Sequence, residues 1–127
     1  SAAHYKEYLF QIHKEITAQI EGPLILHVCG NCSDRLEFFA DAGFDCYHFE
    51  WATGPHYAVE TVGHRISLAG CINNAQTLFQ GTPKDVYKQT REAIAAGVRM
   101  IGPECCIPLS TPLENLKAIV TAVHEGY

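Results

Sequence analysis

The chain has 127 residues, of which 47% are hydrophobic and 18% charged, and its formal net charge is −5. This length and composition predict one folded domain with a buried core, and they exclude a disordered chain. No stretch of lysine and arginine is dense enough to indicate a nucleic acid or an anionic membrane as partner, and the longest apolar runs are too short to cross a bilayer. A small molecule or another protein is the expected partner.

Strands and helices alternate along the chain. A leading helix is predicted over residues 4–21, with a buried face made of apolar residues at helical spacing. These residues are Tyr5, Leu9, Ile12, Ile16 and Ile20. Four strands follow as short apolar runs, typical of buried parallel strands. They are predicted at 24–30, 44–50, 65–73 and 98–105.

A helix is predicted after each strand. The first begins at Ser33 or Asp34 and continues through Ala42, and the second covers Pro55 to Val62. The third has Thr82 as its N-cap and runs to Ala96. The fourth, 112–124, opens with the capping-box pattern of residues 111–114, Thr-Pro-Leu-Glu.

The predicted order is α-βα-βα-βα-βα, which indicates a parallel sheet with right-handed crossovers. Two α/β architectures fit this order. One is a small open sheet, and the other is half of a (βα)8 barrel, whose full size is about 250 residues. A leading helix before the first strand favours the half barrel. In both architectures, functional residues are expected at the C-terminal ends of the strands.

The six cysteines lie at positions 29, 32, 46, 71, 105 and 106. Four of them lie within or next to apolar strand-like runs, and the first ten residues lack the pattern of a signal peptide. We therefore expect a cytoplasmic protein, in which metal-binding or catalytic roles are favoured over a disulfide framework.

Polar residues converge on the predicted C-terminal rim of the sheet. His27 and Cys29 end the first strand, Glu50 ends the second, and Cys105 ends the fourth. His27 and Cys29 are two residues apart, so they point to the same face of a strand. A cysteine from another strand would complete a three-ligand site of the catalytic zinc type, since sulfur and imidazole favour zinc over magnesium or calcium.

Other interpretations of these residues stay open at this point. A histidine and a cysteine on an apolar strand are often only core residues. Cys29 and Cys32 also form a CxxC pair, which is typical of redox dithiols. His48 lies on the same face of its strand as Glu50, either as a structural histidine or as a partner of the site. The choice between Cys105 and Cys106 as the third ligand is open as well.

Four segments carry a resemblance to a known family: LHVCGN (26–31), GFDCYHFE (43–50), GCINNAQTLFQGTPKDV (70–86) and GPECCIPLSTPLENLKA (102–118). They resemble the uroporphyrinogen decarboxylase superfamily and, within it, the methylcobamide:coenzyme M methyltransferases of methanogens. The decarboxylases have a histidine where this chain has Cys105, and they lack the pair matched by His27 and Cys29. The methyltransferase branch has all three positions.

The resemblance implies that residues 1–127 are the C-terminal half of a (βα)8 TIM-type barrel, four strands and a leading helix. It also implies that His27, Cys29 and Cys105 bind Zn²⁺, with Cys105 favoured over Cys106 by alignment. Glu50 matches an acidic position near the zinc, a catalytic candidate that would fill the fourth ligand position when substrate is absent. The implied reaction moves a methyl group from a corrinoid protein to a small thiol, coenzyme M.

Two other functions compete with zinc-dependent thiol methylation. One is a uroporphyrinogen decarboxylase-type lyase without zinc. The other is a non-enzymatic redox or metal-storage module built on Cys29 and Cys32. A half barrel would also expose two strand edges and part of an apolar interior, so we expect the chain to self-associate.

Overall fold

A computed structural model describes residues 1–126. Its centre is a four-stranded parallel sheet in the order β1-β2-β3-β4, flanked by helices. The strands are β1 (Ile25–His27), β2 (Cys46–Phe49), β3 (Ser67–Ile72) and β4 (Met100–Pro103). The α-helices are α1 (Ala2–Tyr8), α2 (Phe10–Gln19), α3 (Leu36–Asp41), α4 (Pro55–Val62), α5 (Pro83–Ala96) and α6 (Leu113–His124). Within this described range, no helix combines the length and apolar character needed to span a membrane.

The two faces of the sheet differ in burial. Leu26, Tyr47 and Leu68 are register partners on β1, β2 and β3, and all three are buried with the core residues of the helices. Residues in register point to the same side of a sheet, so this face is the one that the helices cover. On the other face of β1, Ile25 is 63% exposed and His27 is also exposed. The candidate site residue His27 therefore stands on the open face.

The predicted order of strands and helices is confirmed, and the bounds of α4 match the prediction. The predicted N-cap of α5 is confirmed in detail: Thr82 accepts a hydrogen bond from the Asp85 N–H, and the Asp85 carboxylate accepts one from the Thr82 N–H. This reciprocal pair satisfies two backbone donors at the start of the helix.

The predicted leading helix is interrupted, and its predicted buried face is wrong. Leu9 has φ −121° and ψ −30° and separates α1 from α2. Of the predicted stripe, only Tyr5 is buried, packing edge-on against Phe39 at a centroid distance of 5.0 Å. Phe10, which did not belong to that stripe, packs on Phe38. Aromatic packing on α3 thus decides which side of the helix pair faces the core, and the aliphatic stripe is exposed.

The predicted capping box before α6 is also wrong. The N-cap is Pro112, no side chain caps the helix, and the third helical position is Asn115 rather than Glu114. Glu114 instead pairs with Lys117 on the surface. The helix starts one residue later than the pattern indicated, which moves the threonine and the acid out of capping positions.

A π-helix over Asn74–Phe79, directly after β3, had no counterpart in the prediction. Asn115, fully buried on α6, donates from Nδ2 to the carbonyl oxygens of Leu78 and Gly81. These two bonds connect the end of the π-helix to α6 across more than thirty residues of sequence. The segment that leaves the sheet rim after β3 is therefore anchored to the core.

The open face and the free edges lead to a prediction about this chain in solution. The edge strands of the described sheet are β1 and β4, and Ile25 and Met100 on them are 63% and 44% exposed. Exposed edges and apolar side chains favour association. We expect light scattering on the isolated chain to report species larger than a monomer. A monodisperse monomer across a concentration series would contradict this expectation.

Candidate metal centre

Three of the predicted site residues meet at the C-terminal rim of the sheet. His27 is the last residue of β1, Cys29 lies just beyond it, and Cys105 follows β4. Nε2 of His27 lies 3.3 Å from Sγ of Cys29 and 3.4 Å from Sγ of Cys105, and the two sulfurs are 3.5 Å apart. The three atoms thus form a nearly equilateral triangle, although 76 residues separate the two cysteines in sequence.

The size of this triangle fits a zinc ion. From zinc–sulfur bonds of about 2.3 Å and a zinc–nitrogen bond of about 2.05 Å, tetrahedral geometry places two sulfur ligands about 3.8 Å apart and nitrogen about 3.6 Å from sulfur. The observed separations, 3.3 to 3.5 Å, are only slightly shorter. Small side-chain movements would bring all three atoms to bonding distance of one ion. Three protein ligands leave a fourth position for an exchangeable ligand.

The imidazole of His27 is oriented by the neighbouring strand. Its Nδ1 lies 3.2 Å from the carbonyl oxygen of His48, a position from which Nδ1–H donates to that acceptor. The other ring nitrogen, Nε2, then carries a lone pair directed at the two sulfurs. Metal-binding histidines in proteins are oriented by this kind of hydrogen bond.

Cys29 is held by a turn that packs on the segment after β2. Gly30 has φ +84°, a conformation that glycine adopts readily, and it turns the chain directly after Cys29. The buried hydroxyl of Thr53 donates to the Gly30 carbonyl and accepts from the Cys32 N–H. The Tyr47 hydroxyl donates to the Val28 carbonyl at 3.5 Å. Both flanks of Cys29 are therefore attached to the core.

Cys105 is held through its neighbour Glu104, a residue that is 6% exposed. The carboxylate accepts hydrogen bonds from the Trp51 N–H after β2 and from the side-chain amide of Asn73 and the N–H of Asn74 after β3. One buried carboxylate thus joins the ends of three strands. Charge-assisted bonds of this kind are stronger than those between neutral groups.

Cys105 and Cys106 have different environments in the structure. Cys105 is in the group of ligand atoms that lie within 4.8 Å of one another, whereas Cys106 is exposed and outside that group. Asn74 Nδ2 donates to the carbonyl oxygen of Cys106 at 2.6 Å, which fixes the backbone directly after the two cysteines. The geometry therefore favours Cys105, the residue that the alignment also favoured.

The two thiols of the cluster influence each other. A hydrogen bond with Cys105, then burial and Glu50, raise the pKa of Cys29 to about 12. The backbone N–H of Cys106, followed by His27 and Cys29, lowers the pKa of Cys105. In the metal-free pair the thiolate is therefore favoured on Cys105, with Cys29 as its hydrogen-bond donor.

Glu50 lies beside the cluster but outside the three-residue group. Its side chain is half-buried, and its carboxylate interacts with the Cys29 thiol, which is one cause of the raised pKa of that thiol. The prediction placed Glu50 near the metal as an additional ligand. The structure puts it at the end of β2, next to one member of the cluster, Cys29.

The remaining cysteines do not form a second reactive group in residues 1–126. All six are free thiols, and Cys32, Cys46 and Cys71 are buried. The Cys32 thiol is directed at the carbonyl oxygens of Val28 and Cys29 rather than at the Cys29 sulfur. This arrangement does not favour a redox dithiol between Cys29 and Cys32.

Thiol labelling of the metal-free protein should follow these environments. We expect iodoacetamide to modify Cys105 before Cys29 at neutral pH, because the thiolate is the reactive form. Cys32, Cys46 and Cys71 are at most 4% exposed, and burial raises the pKa of Cys71 to about 12. These three should react only after unfolding. Peptide mass spectrometry over a labelling time course measures the order, and early modification of Cys71 would contradict it.

Sequence reasoning did not identify the role of Glu104. A glutamate at the C-terminal end of an apolar strand was visible, and so was the Asn73-Asn74 pair at the end of the preceding strand. Buried carboxylates need several donors, and paired asparagines at an adjacent strand end supply them. That combination is the signal that would have indicated the junction.

The sequence profile of the family described as "Uroporphyrinogen decarboxylase (URO-D)" matches residues 1–126. Among curated proteins, the chain is 36% identical over 126 residues to the methylated-thiol–coenzyme M methyltransferase of Methanosarcina mazei. It is 30% identical over 124 residues to the methylcobamide:CoM methyltransferase MtaA of Methanosarcina barkeri. It is also 29% identical over 132 residues to the uroporphyrinogen decarboxylase of Carboxydothermus hydrogenoformans.

These matches cover 98%, 97% and 98% of this chain but 34%, 37% and 37% of the three relatives. The chain therefore spans about a third of the length of the curated relatives it matches. A solved methyltransferase structure from Methanosarcina mazei superimposes with a TM-score of 0.93 and 30% identity, covering 98% of this chain and 37% of that one. The predicted fold class and the predicted family resemblance are both confirmed.

Proposed function

Because the chain belongs to the uroporphyrinogen decarboxylase family, we propose that its protein is a zinc-dependent methyltransferase, which moves a methyl group from a methyl-corrinoid to a small thiol. The observation that carries the proposal is the cluster of one imidazole nitrogen and two sulfurs within 4.8 Å of one another. Relatives named as coenzyme M methyltransferases support the same reaction class. Coenzyme M is the proposed acceptor, and a corrinoid protein is the proposed donor.

His27, Cys29 and Cys105 are the proposed zinc ligands. When bound, zinc would supply Lewis acidity that lowers the pKa of a coordinating thiol, so that its sulfur is nucleophilic at neutral pH. Two cysteine ligands contribute more negative charge than two histidines would, which should keep the acceptor sulfur electron-rich. Nδ1–H of His27 stays bonded to the His48 carbonyl, so that Nε2 remains available for the ion.

The surroundings of the cluster suit substrate access from the rim. His27 and Cys29 are exposed, and Cys105 is partly exposed. We propose that the corrinoid protein docks over this rim, with the small thiol between it and the cluster. Glu50, beside Cys29, is the proposed occupant of the fourth ligand position in the absence of thiol, and it would leave when the thiol enters. The proposed location is the cytoplasm.

Methyl transfer from methylcobalamin to coenzyme M, assayed with the protein that carries this chain, tests the proposal. We expect transfer that a zinc chelator abolishes and added zinc restores. The alternative activity, decarboxylation of uroporphyrinogen, is assayed in parallel, because decarboxylases are also among the relatives. Decarboxylation without methyl transfer, or methyl transfer that the chelator leaves unchanged, would overturn the proposal.

A further inference from the structure

The side chain of His48 contacts both segments that carry the proposed ligands. On one side, its ring packs against the ring of His27, with centroids 4.6 Å apart and an angle of 35° between the planes. On the other side, its Nε2 donates to the carbonyl oxygen of Pro103 at 2.8 Å. Pro103 ends β4, two residues before Cys105.

This second contact crosses a strand. His48 lies on β2 and Pro103 on β4, so the imidazole passes over β3, which lies between them. The residue it passes is Gly70, where an added Cβ would be 3.1 Å from Cδ2 of His48 and 2.5 Å from the Phe49 carbonyl oxygen. Gly70 also has φ +114°, a conformation that side chains disfavour. The absence of a side chain at this position gives the His48 ring its path across the sheet.

The contact between His48 and Pro103 is relevant because the proposed ligands come from opposite edges of the sheet. His27 is on β1 and Cys105 follows β4, and these two strands are not neighbours. The backbone hydrogen bonds of the sheet connect the strand of His27 to the strand before Cys105 only through the two strands between them. A ring that packs on one ligand and bonds to the segment of the other is a more direct connection.

We propose that His48 is a positioning residue for this metal site, which holds the His27 imidazole and the Cys105 segment at the separation that one ion requires. The inference rests on the proposed function, since it assumes that His27, Cys29 and Cys105 bind a metal. It adds a residue that touches no metal itself. The ring supplies the packing against His27, and Nε2–H supplies the bond to β4.

Cobalt titration of the metal-free protein measures the affinity of the site, because Co²⁺ bound by thiolates has a charge-transfer absorption. Variants of His48 that remove the ring or the donor then separate its two contacts. We expect His48→Ala to lower the affinity for Co²⁺ about 10- to 100-fold, the range for losing a residue that orients a ligand. His48→Phe, which keeps the ring but not the donor, should have a Co²⁺ affinity between those of the parent protein and His48→Ala. His48→Gln, whose amide nitrogen replaces Nε2 as donor, should restore part of the affinity.

His64→Ala is the matched control, because His64 is exposed and far from the rim end of the strands. Urea unfolding of each metal-free variant checks that its stability is retained. If the parent protein shows no thiolate-to-cobalt absorption, the proposed metal site fails. If the parent binds cobalt and stable His48→Ala binds it with equal affinity, the role of His48 is overturned while the metal site stands. Equal losses in His48→Ala and His64→Ala would overturn it too.

Discussion

Replacing Cys105 with alanine is expected to remove zinc binding and methyl transfer together. The substitution deletes one of two sulfurs in the cluster and leaves His27 and Cys29 as an incomplete pair. Losing a ligand should cost more than losing a residue that orients one, so the zinc affinity should fall by more than about 100-fold. Competition with a chromophoric chelator measures the affinity, and the methylcobalamin assay measures the activity.

Cys106→Ala is the matched control, since it removes the adjacent thiol outside the cluster. Its exposed side chain should make little difference to zinc affinity. Asn74 bonds to the backbone carbonyl of Cys106, and this contact survives the substitution. The assignment of Cys105 would be wrong if the two variants exchanged these results, with Cys106→Ala losing the metal and Cys105→Ala keeping it.

Replacing Glu104 with alanine is expected to cost at least about 3 kcal/mol of unfolding free energy. Glu104 is 6% exposed, and its carboxylate accepts from three N–H donors, those of Trp51, Asn73 and Asn74. Without it, one buried and two partly buried N–H donors lose this acceptor at the junction of three strand ends. Urea denaturation measures the loss, and zinc affinity should fall as well because Cys105 is the next residue.

Two comparisons sharpen this prediction. Glu104→Gln keeps an oxygen for Asn73 and Asn74 but sets an amide against the Trp51 N–H, so its loss should be smaller than that of alanine. Glu114→Ala removes an exposed glutamate in a surface pair with Lys117, and it should change stability by no more than about 0.5 kcal/mol. Equal effects of Glu104→Ala and Glu114→Ala would show that the buried carboxylate does not hold the rim.

Much of the fold was visible in the sequence because local signals and tertiary packing agree there. Pro55 and Gly63 bound α4 as predicted, and Thr82 caps α5 with Asp85. The leading helix was predicted with the correct period but the wrong face, because the period does not say which side meets a neighbour. The buried Tyr5 and the half-buried Phe10 decide that question through contacts with α3.

The site was predictable to a similar extent. Alternation along β1 placed His27 and Cys29 on one face, and the parallel topology placed Cys105 on the same rim. One feature of the site depends on backbone paths that no local pattern encodes. The choice of Cys105 over Cys106 follows from the bonds of Glu104 and Asn74, residues that meet only in the folded chain.

Anomalous diffraction at the zinc edge, from crystals of the zinc-loaded protein, shows whether His27, Cys29 and Cys105 bind one ion. We expect a single strong peak bonded to Nε2 of His27 at about 2.0–2.1 Å and to Sγ of Cys29 and Cys105 at about 2.3 Å. No peak at this rim, or a peak bonded to Cys106 or Cys32 in place of these ligands, would contradict it.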